Sequence, residues 1–390
     1  MATSLAFILF FIASYSALCD GVKVAVDGNL VNKDVQRKVD LSTSLAKVTS
    51  DITLENGGSK NAAAFLLSIE PSMASSLSSV VASMKAGDEA MDLVVEPVAT
   101  DNAPAGALHY QVVLSKALLP GKTTVVSVTA TYSHVLKPFP AEIKQAEKQM
   151  VRFTGNLLFY SPYKTVSQKT AVRLASASVE SYTKTKPNTK SESTITYGPF
   201  NQKDAYAEEE LYVHSENNAP FLAVTSMERV IEVSHWGNIA VEETYDLRHT
   251  GAKLKGPFSR YDYQRQMNPF GSVKSFKTVL PASARDVYYR DEIGNISTSH
   301  MKELDEAVEL ELRPRFPLFG GWKTHYMIGY NVPTYQYLWT DGGNEYSLRM
   351  PFVDHVFDNQ VVDDITVKII LPEGSKVRLT FSAYLTQMCT

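Results

Sequence analysis

The chain has 390 residues, of which 44% are hydrophobic and 21% charged, and its formal net charge is -4. This composition is ordinary for a globular protein, and the length suffices for two or three domains. A mildly acidic chain without a long basic block gives no support to nucleic-acid binding, which needs a concentrated cationic face to neutralise phosphates.

The N-terminus has the features of a secretory signal peptide. Residues 5–13 form an unbroken apolar run, and small residues ending at Cys19 follow at the spacing that a signal peptidase reads. We expect residues 1–19 to be removed. Because no Lys or Arg precedes the run, an uncleaved anchor is the alternative. After cleavage Cys389 would be the one cysteine left, so the mature chain would form no internal disulfide.

Residues 20–217 are predicted to form a first β-rich domain. Within it, residues 22–26 and 50–54 have strand patterns. Residues 109–114 and 124–130 are expected to form an antiparallel pair, because a Pro-Gly turn lies between them.

One segment of this domain has a helical pattern. Apolar residues recur at helical spacing among charged ones over residues 140–153, and Pro140 suits the N-terminal position of a helix. We predict a surface helix that lies on a sheet.

A second β-rich domain is predicted over residues 218–376, after a polar segment that ends in a proline. Strict alternation over residues 229–247 predicts a β-hairpin with one dry face and one wet face. Its turn contains Gly237 and Asn238, which tolerate positive φ. Further strands are expected at residues 274–281, 287–291, 308–312, 326–332 and 365–371.

Regular short strands joined by hairpin-like turns favour packed antiparallel sheets. We therefore predict a mainly β fold: two tandem β-rich domains of antiparallel sheets with a few helices.

The loop after the hairpin, residues 249–271, mixes cations with aromatic residues. Its basic side chains are candidates for contact with a protein partner. They are Lys253, Lys255, Arg260 and Arg265. The alternative is structural, because aromatic residues fix a long loop in place while Lys and Arg solvate it.

The sequence predicts no catalytic residue, cofactor site or metal site. The eight histidines are scattered without an HExxH motif, two cysteines cannot build a thiolate zinc site, and no GxSxG, GxGxxG or Walker A pattern occurs. Adjacent acids such as Glu242 and Glu243 point to opposite faces of a strand. We expect them to be solvated edges rather than the facing carboxylates of a glycosidase.

Two further features concern sugars. The three tryptophans, Trp236, Trp322 and Trp339, have ring faces that suit a sugar, but we expect buried core positions for them. The single sequon, Asn295-Ile296-Ser297, lies in a polar turn, and Asn295 is a predicted glycosylation site.

Long irregular strings carry a family resemblance. HWGNIAVEETYDLRHTGAKLKGPFSRYDYQR (residues 235–265), PRFPLFGGWKTHYMIGYNVP (314–333) and GNLLFYSPY (155–163) resemble ribophorin I, and the similarity runs over residues 22–375. The resemblance implies two luminal β-rich domains, then one transmembrane helix and a cytosolic tail. It also implies a place in the oligosaccharyltransferase complex of the endoplasmic reticulum, which transfers an oligosaccharide from dolichyl diphosphate to the Asn of Asn-x-Ser/Thr.

In that family this subunit is not catalytic, and a scaffold or substrate-presenting role is implied. The implied partners are the other subunits, including the catalytic one, and nascent polypeptides. Catalysis in the family belongs to a partner with a Trp-Trp-Asp-Tyr-Gly motif, which does not occur in this sequence.

The tail, residues 377–390, diverges from the family, and the family's membrane helix is missing after it. We expect a frame-altered or alternatively spliced form that is soluble in the lumen. Two other functions are retained as alternatives. One is an accessory module of a secretory-pathway hydrolase, and the other is a lectin-like glycan binder that uses Trp236 or Trp322.

Overall fold

The computed structural model describes residues 23–86, 89–101, 103–265, 271–340, 342 and 345–376. The predicted signal peptide and residues 377–390, the tail predicted to diverge, lie outside the described residues.

Strands make up most of the described chain. Up to residue 221, which we call the first half, the elements are β1 (Leu30–Leu41), β2 (Ala46–Asn56), β3 (Ala62–Ile69), α1 (Pro71–Ala74), β4 (Leu77–Ala86), β5 (Glu89–Leu93), β6 (Val95–Val98), β7 (Leu108–Leu118), β8 (Thr123–Tyr132), β9 (Lys137–Pro138), β10 (Glu142–Ile143), β11 (Met150–Asn156), β12 (Thr165–Leu174), β13 (Val179–Tyr182), β14 (Asn188–Ser191), β15 (Thr194–Lys203) and β16 (Glu210–Glu216). From residue 222, which begins the second half, they are β17 (Leu222–Val233), β18 (Asn238–His249), β19 (Lys253–Leu254), α2 (Arg260–Arg265), β20 (Phe276–Pro281), β21 (Arg285–Asp291), β22 (Gly294–Asn295), β23 (His300–Glu303), β24 (Ala307–Leu312), β25 (Lys323–Pro333), α3 (Thr334–Tyr337), β26 (Leu338–Thr340), β27 (Tyr346–Leu348) and β28 (Ile365–Ile370).

The first half is built on an eight-stranded sheet with the order β14-β15-β12-β1-β2-β8-β4-β5. In β2 every second residue is buried, because successive side chains of a strand point to opposite faces. A three-stranded sheet (β3-β7-β6) and a four-stranded sheet (β13-β16-β11-β9) accompany it. Two clusters of buried apolar side chains form the core, one including Val39 and Phe153 and the other Ile52 and Val112.

The second half is built on a six-stranded sheet with the order β22-β21-β25-β18-β17-β28, and a three-stranded sheet, β20-β24-β23, supplies further core residues. Tyr245 and Tyr326 stack in its core with ring centroids 4.8 Å apart. The apolar cluster here draws on residues 222–357, whereas the two clusters of the first half draw on residues 30–221. The domain boundary at 217/218 stays a prediction.

The mainly β fold with few helices is confirmed, and so is the hairpin, in which β17 and β18 pair antiparallel from Leu222↔His249 to Val233↔Ile239. The turn has its positive φ at Gly237. Among the described strands, three pairs are parallel: β1 with β12, β10 with β19, and β17 with β28.

The predicted surface helix over residues 140–153 is wrong. This segment contains β10 and the first part of β11, which pair with β19 and β16. Ile143 and Val151 are buried by these tertiary contacts. Such contacts override a weak local helix preference.

The expected pairing of residues 109–114 with 124–130 is also wrong. These residues lie in β7 and β8, but β7 pairs with β3 and β6, whereas β8 pairs with β2 and β4 in the large sheet. The short connection between β7 and β8 therefore crosses from the three-stranded sheet to the eight-stranded sheet. Residues 24–26 of the predicted first strand lie outside any strand, and Lys23 forms an isolated bridge with Ala99.

Candidate functional site

The segment that follows β18 joins the two halves of the molecule. Lys253 and Leu254 form β19, which pairs parallel with Glu142 and Ile143 of β10. The Lys253 N–H donates to the Ala141 carbonyl at 2.8 Å. A strand pair between the halves therefore positions the start of the predicted binding loop.

Buried amides fix the same junction. Gln149, 1% exposed, accepts from the Ala252 N–H at 2.8 Å and donates to the Asn217 carbonyl at 2.9 Å. The Asn217 side chain donates in turn to the carbonyls of Leu41 and Thr43, at 3.1 and 2.9 Å. Each of these buried polar groups has a partner, and unpaired they would each cost stability.

His249 and Gly320 complete the junction. His249 is 1% exposed, and its Nδ1 accepts from the Gly251 N–H at 3.1 Å. Burial lowers the pKa of His249 to about 4, so the ring is neutral in the folded protein. Gly320 is packed so closely that a Cβ there would lie 1.8 Å from the Ala252 carbonyl oxygen. We call β10, β19, Gln149, Asn217, His249 and Gly320 the junction.

The four predicted cations lie on one continuous segment, and all four side chains are exposed. Lys253 lies in β19 and Lys255 directly follows it. Arg260 and Arg265 are the first and last residues of α2, which buries no residue. Arg265 donates to the Tyr261 hydroxyl at 3.0 Å. The segment thus presents its charges to solvent, while its backbone is held by the first half.

Aromatic residues anchor this segment, as the structural interpretation of the loop expected. The Phe258 ring contacts the rings of Phe319 and Trp322, with centroids 5.6 and 5.8 Å away, and Tyr263 contacts Phe319 at 5.9 Å. Such edge and tilted contacts between rings stabilise a loop beyond the area that they bury. The cations are therefore mounted on a fixed loop.

A second polar site lies inside the second half. Arg229 and Glu243 are directly opposite each other on β17 and β18, both are fully buried, and they form an ion pair. Arg229 Nη1 also lies 2.9 Å from Asp354 Oδ2. Tyr245 donates to Glu243 at 2.6 Å, and Tyr330 donates to Asp354. We call these five residues the buried ion network.

The network holds two carboxyl groups around one guanidinium. Burial opposes the charge on Arg229, but the neighbouring Glu243 and Asp354 carboxyls outweigh it and hold the pKa of Arg229 above its usual value. Burial raises the pKa of Glu243 to about 7, against the attraction of Arg229. The folded protein therefore keeps a proton on Glu243 up to a higher pH than the unfolded chain does.

We expect this proton to make stability depend on pH. Because the folded pKa of Glu243 lies above its unfolded value, the free energy of unfolding falls as pH rises from about 4.5 to about 7, with a slope of at most about 1.4 kcal/mol per pH unit from this group. Glu243→Gln should remove that component, measured by urea unfolding across the range. His249 contributes with the opposite sign, since its pKa is lowered, so the comparison is the difference between wild type and variant. Equal slopes in both proteins would contradict the prediction.

The expectation that Glu242 and Glu243 are solvated edges is wrong for Glu243. The two do point to opposite faces, and Glu242 lies on the outer face, where it accepts from Tyr288 and from Arg290. The dry-face periodicity of the hairpin assigns Arg229 and Glu243 to the core side. This alternation was the signal in the sequence that Arg229 and Glu243 are buried.

Two of the tryptophans also differ from expectation. Trp322 is partly buried against the core of the second half, but Trp236 is 95% exposed at the tip of the hairpin and Trp339 is 53% exposed on β26. Asn295 is exposed in β22 beside the buried Ile296, so the predicted acceptor nitrogen lies at the surface.

One serine and one histidine have the pairing that nucleophilic catalysis uses. Ser68 Oγ and His109 Nδ1 are 2.8 Å apart, both side chains are buried, and burial lowers the pKa of His109. The adjoining cavity has a volume of about 30 Å³, room for about two water molecules. Because both side chains are buried, we interpret this as a structural pair.

Within the described ranges, no group of three or more His, Cys, Asp or Glu side chains is arranged to hold a metal ion. In the same residues, no helix has the length and apolar character that a membrane span requires.

The fold and the junction define a class: a large mainly β protein whose two sheet assemblies are joined by a strand pair. A family model described as Ribophorin I matches residues 30–385, and the chain belongs to this family.

Its relatives include dolichyl-diphosphooligosaccharide–protein glycosyltransferase subunit 1 of Caenorhabditis elegans, 39% identical over 346 residues. That match covers 88% of this chain and 58% of the relative, so the chain spans little more than half of that protein. Subunit 1B of Arabidopsis thaliana is 38% identical over 90% of this chain and 76% of its own length.

Among solved structures, an M1 zinc metallopeptidase from Deinococcus radiodurans matches with a TM-score of 0.29 and 11% identity, over 53% of this chain and 44% of that one. A likeness at this level carries no argument about function.

Proposed function

We propose that this protein is a non-catalytic subunit of the endoplasmic reticulum oligosaccharyltransferase complex and acts in protein N-glycosylation. The observation that carries the proposal is the 39% identity to a glycosyltransferase subunit 1 across 88% of this chain. The buried ion network and the Ser68–His109 pair are two chemistry-bearing clusters of the described chain, and both are enclosed in core. Their burial supports a scaffold role.

We propose that the partners are the other subunits, including the catalytic one, together with nascent polypeptides. The arrangement supporting this proposal is the cationic segment from Lys253 to Arg265, which is exposed and held in place by the junction. Removal of residues 1–19 and a domain boundary at 217/218 belong to the same proposal. The endoplasmic reticulum is the proposed location.

Co-purification tests the function. The tagged 390-residue chain, expressed in cells, should bring down the catalytic subunit after mild solubilisation. A folded, secretory-pathway chain that brings down no subunit of the complex would overturn the proposal. Purified chain that trims glycan or peptide unaided would favour the hydrolase alternative.

Charge reversal on α2 should weaken that association. We expect Arg260→Glu with Arg265→Glu to lower co-purification by about tenfold, because close charge pairs across an interface contribute more than 1 kcal/mol each. The fold should persist, since α2 buries no residue.

The matched control is Lys116→Glu with Lys169→Glu, which makes the same charge change at exposed sites of the first half. Equal recovery of both double variants would return the loop to a purely structural role.

We propose that Asn295 carries an N-linked glycan, because its side chain is exposed and Ser297 follows in the sequon. Asn295→Gln should abolish the mobility shift that endoglycosidase treatment causes. Ser297→Ala should abolish it as well, since it removes the acceptor motif while Asn295 remains. A shift that persists in either variant would contradict the assignment.

A further inference from the structure

The tip of the β17–β18 hairpin exposes an aromatic ring that the proposed function does not use. Trp236 is 95% exposed, and its backbone is fixed by a tight turn in which the Ser234 N–H donates to the Asn238 carbonyl at 2.9 Å. Gly237 has a φ of 84°, the conformation that glycine adopts without strain. A large apolar ring is thus held in water on a well-defined turn.

A second exposed ring lies on the helix whose first residue is hydrogen-bonded to the hairpin turn. Tyr335 is 79% exposed on α3, and the N–H of the preceding Thr334 donates to the Gly237 carbonyl at 3.0 Å. Trp236 and Tyr335 are each one residue from this hydrogen bond. Their α-carbons are therefore at most about 13 Å apart.

A line of polar side chains adjoins the rings on the outer face of the sheet. The Asn238 amide donates to Asn331 Oδ1 at 2.9 Å, and the Asn331 amide donates to Asp286 Oδ2 at 3.2 Å. Asp286 is exposed, and Asn238 and Asn331 are partly exposed. Amide and carboxylate oxygens each accept more than one hydrogen bond, so this line has further acceptors to offer.

We propose that Trp236, Tyr335 and the line Asn238–Asn331–Asp286 form a carbohydrate-binding surface. A sugar ring has an apolar C–H face, which packs on an aromatic ring, and hydroxyl groups at its edge, which donate to amide and carboxylate oxygens. The five residues supply both requirements at one end of the second half. We call them the Trp236 surface.

The polar line favours a sugar over an apolar protein segment. A hydrophobic partner that covered Trp236 would desolvate Asp286 and Asn331 without offering donors, which costs free energy. Sugar hydroxyls replace the lost water. The inference goes beyond the proposed subunit role and does not depend on it.

The test is a titration of the purified chain with N,N′-diacetylchitobiose, mannotriose and lactose, followed by tryptophan fluorescence and saturation-transfer NMR. We expect weak saturable binding of at least one sugar. Trp236→Ala should weaken it about tenfold or more, and Asp286→Ala should weaken it as well. Trp339→Ala is the matched control, because Trp339 is 53% exposed on a different hairpin, and it should leave binding unchanged.

Absence of saturable binding by the wild type, or binding that survives Trp236→Ala, would overturn the proposal. If Trp236→Ala instead lowers co-purification with the catalytic subunit while no sugar binds, the surface belongs to a protein interface and the proposal also fails. Circular dichroism of each variant separates these outcomes from unfolding. Complex assembly by the wild type is measured separately, so failure of the subunit role is distinguishable.

Discussion

Arg229→Met should lower the free energy of unfolding by about 3–5 kcal/mol at about pH 8, because it leaves two buried carboxyl groups without their cation. Methionine nearly fills the volume of the arginine side chain, so the loss reports the charge rather than a cavity. The loss should shrink as pH falls, since the raised pKa of Glu243 lets that carboxyl become neutral by protonation. Urea unfolding followed by circular dichroism at about pH 8 and about pH 5.5 measures both effects.

Lys368→Met is the matched control. Lys368 pairs with Glu228 at 2.8 Å on neighbouring strands of the same sheet, but both side chains are more than one third exposed. Breaking such a pair costs less than about 1 kcal/mol. A similar loss in both variants would show that burial does not decide the energetics of the network.

Gly320→Ala should destabilise the protein by about 3 kcal/mol or more, because the added methyl would meet the Ala252 carbonyl oxygen at 1.8 Å. The obstacle is backbone, which no rotamer change removes, so relief requires the junction to open. We expect faster proteolysis between residues 253 and 265 together with a lower melting temperature.

Gly28→Ala is the control for this change, because a Cβ there meets nothing within 4 Å. It should leave stability within about 0.5 kcal/mol. If Gly320→Ala melts like wild type, the junction moves apart at little cost and does not hold the cationic segment in place.

The sequence predicted those parts of the fold where local pattern and tertiary structure agree. Alternation over residues 229–247 located the hairpin, because one face of it is buried and the other is not. The aromatic residues around Phe258 likewise indicated an anchored loop. Asn295 and the four loop cations were placed at the surface, where polar side chains are expected.

Pairing partners were not predictable in the same way. The alternation of β7 and β8 is genuine, but it does not say which sheet each strand joins. The helical spacing over residues 140–153 was coincidental, since contacts with residues 253–255 decide that backbone. Gln149 and Gly320 of the junction contact Asn217 and Ala252, which are more than 60 residues away in the sequence. A local sequence pattern cannot predict such contacts.

The alternation along the hairpin could have revealed the Arg229–Glu243 pair of the buried ion network. Arg229 and Glu243 occupy dry-face positions, yet a charged residue is ordinarily assumed to face water. Only the pairing register, which brings the two opposite each other, makes their burial tolerable. Asp354 lies in a segment without regular secondary structure and carried no such signal.

The parallel pairing of β1 with β12 imposes an order of events on synthesis. Asn32 and Thr165 are register partners 133 residues apart. At ordinary translation rates the ribosome needs on the order of ten seconds to supply the second of them. Until then β1 has an open edge, which is a template for pairing with other chains. Folding of the first half is therefore slow by topology, and chaperone protection of a nascent chain shorter than about 174 residues is the expected consequence.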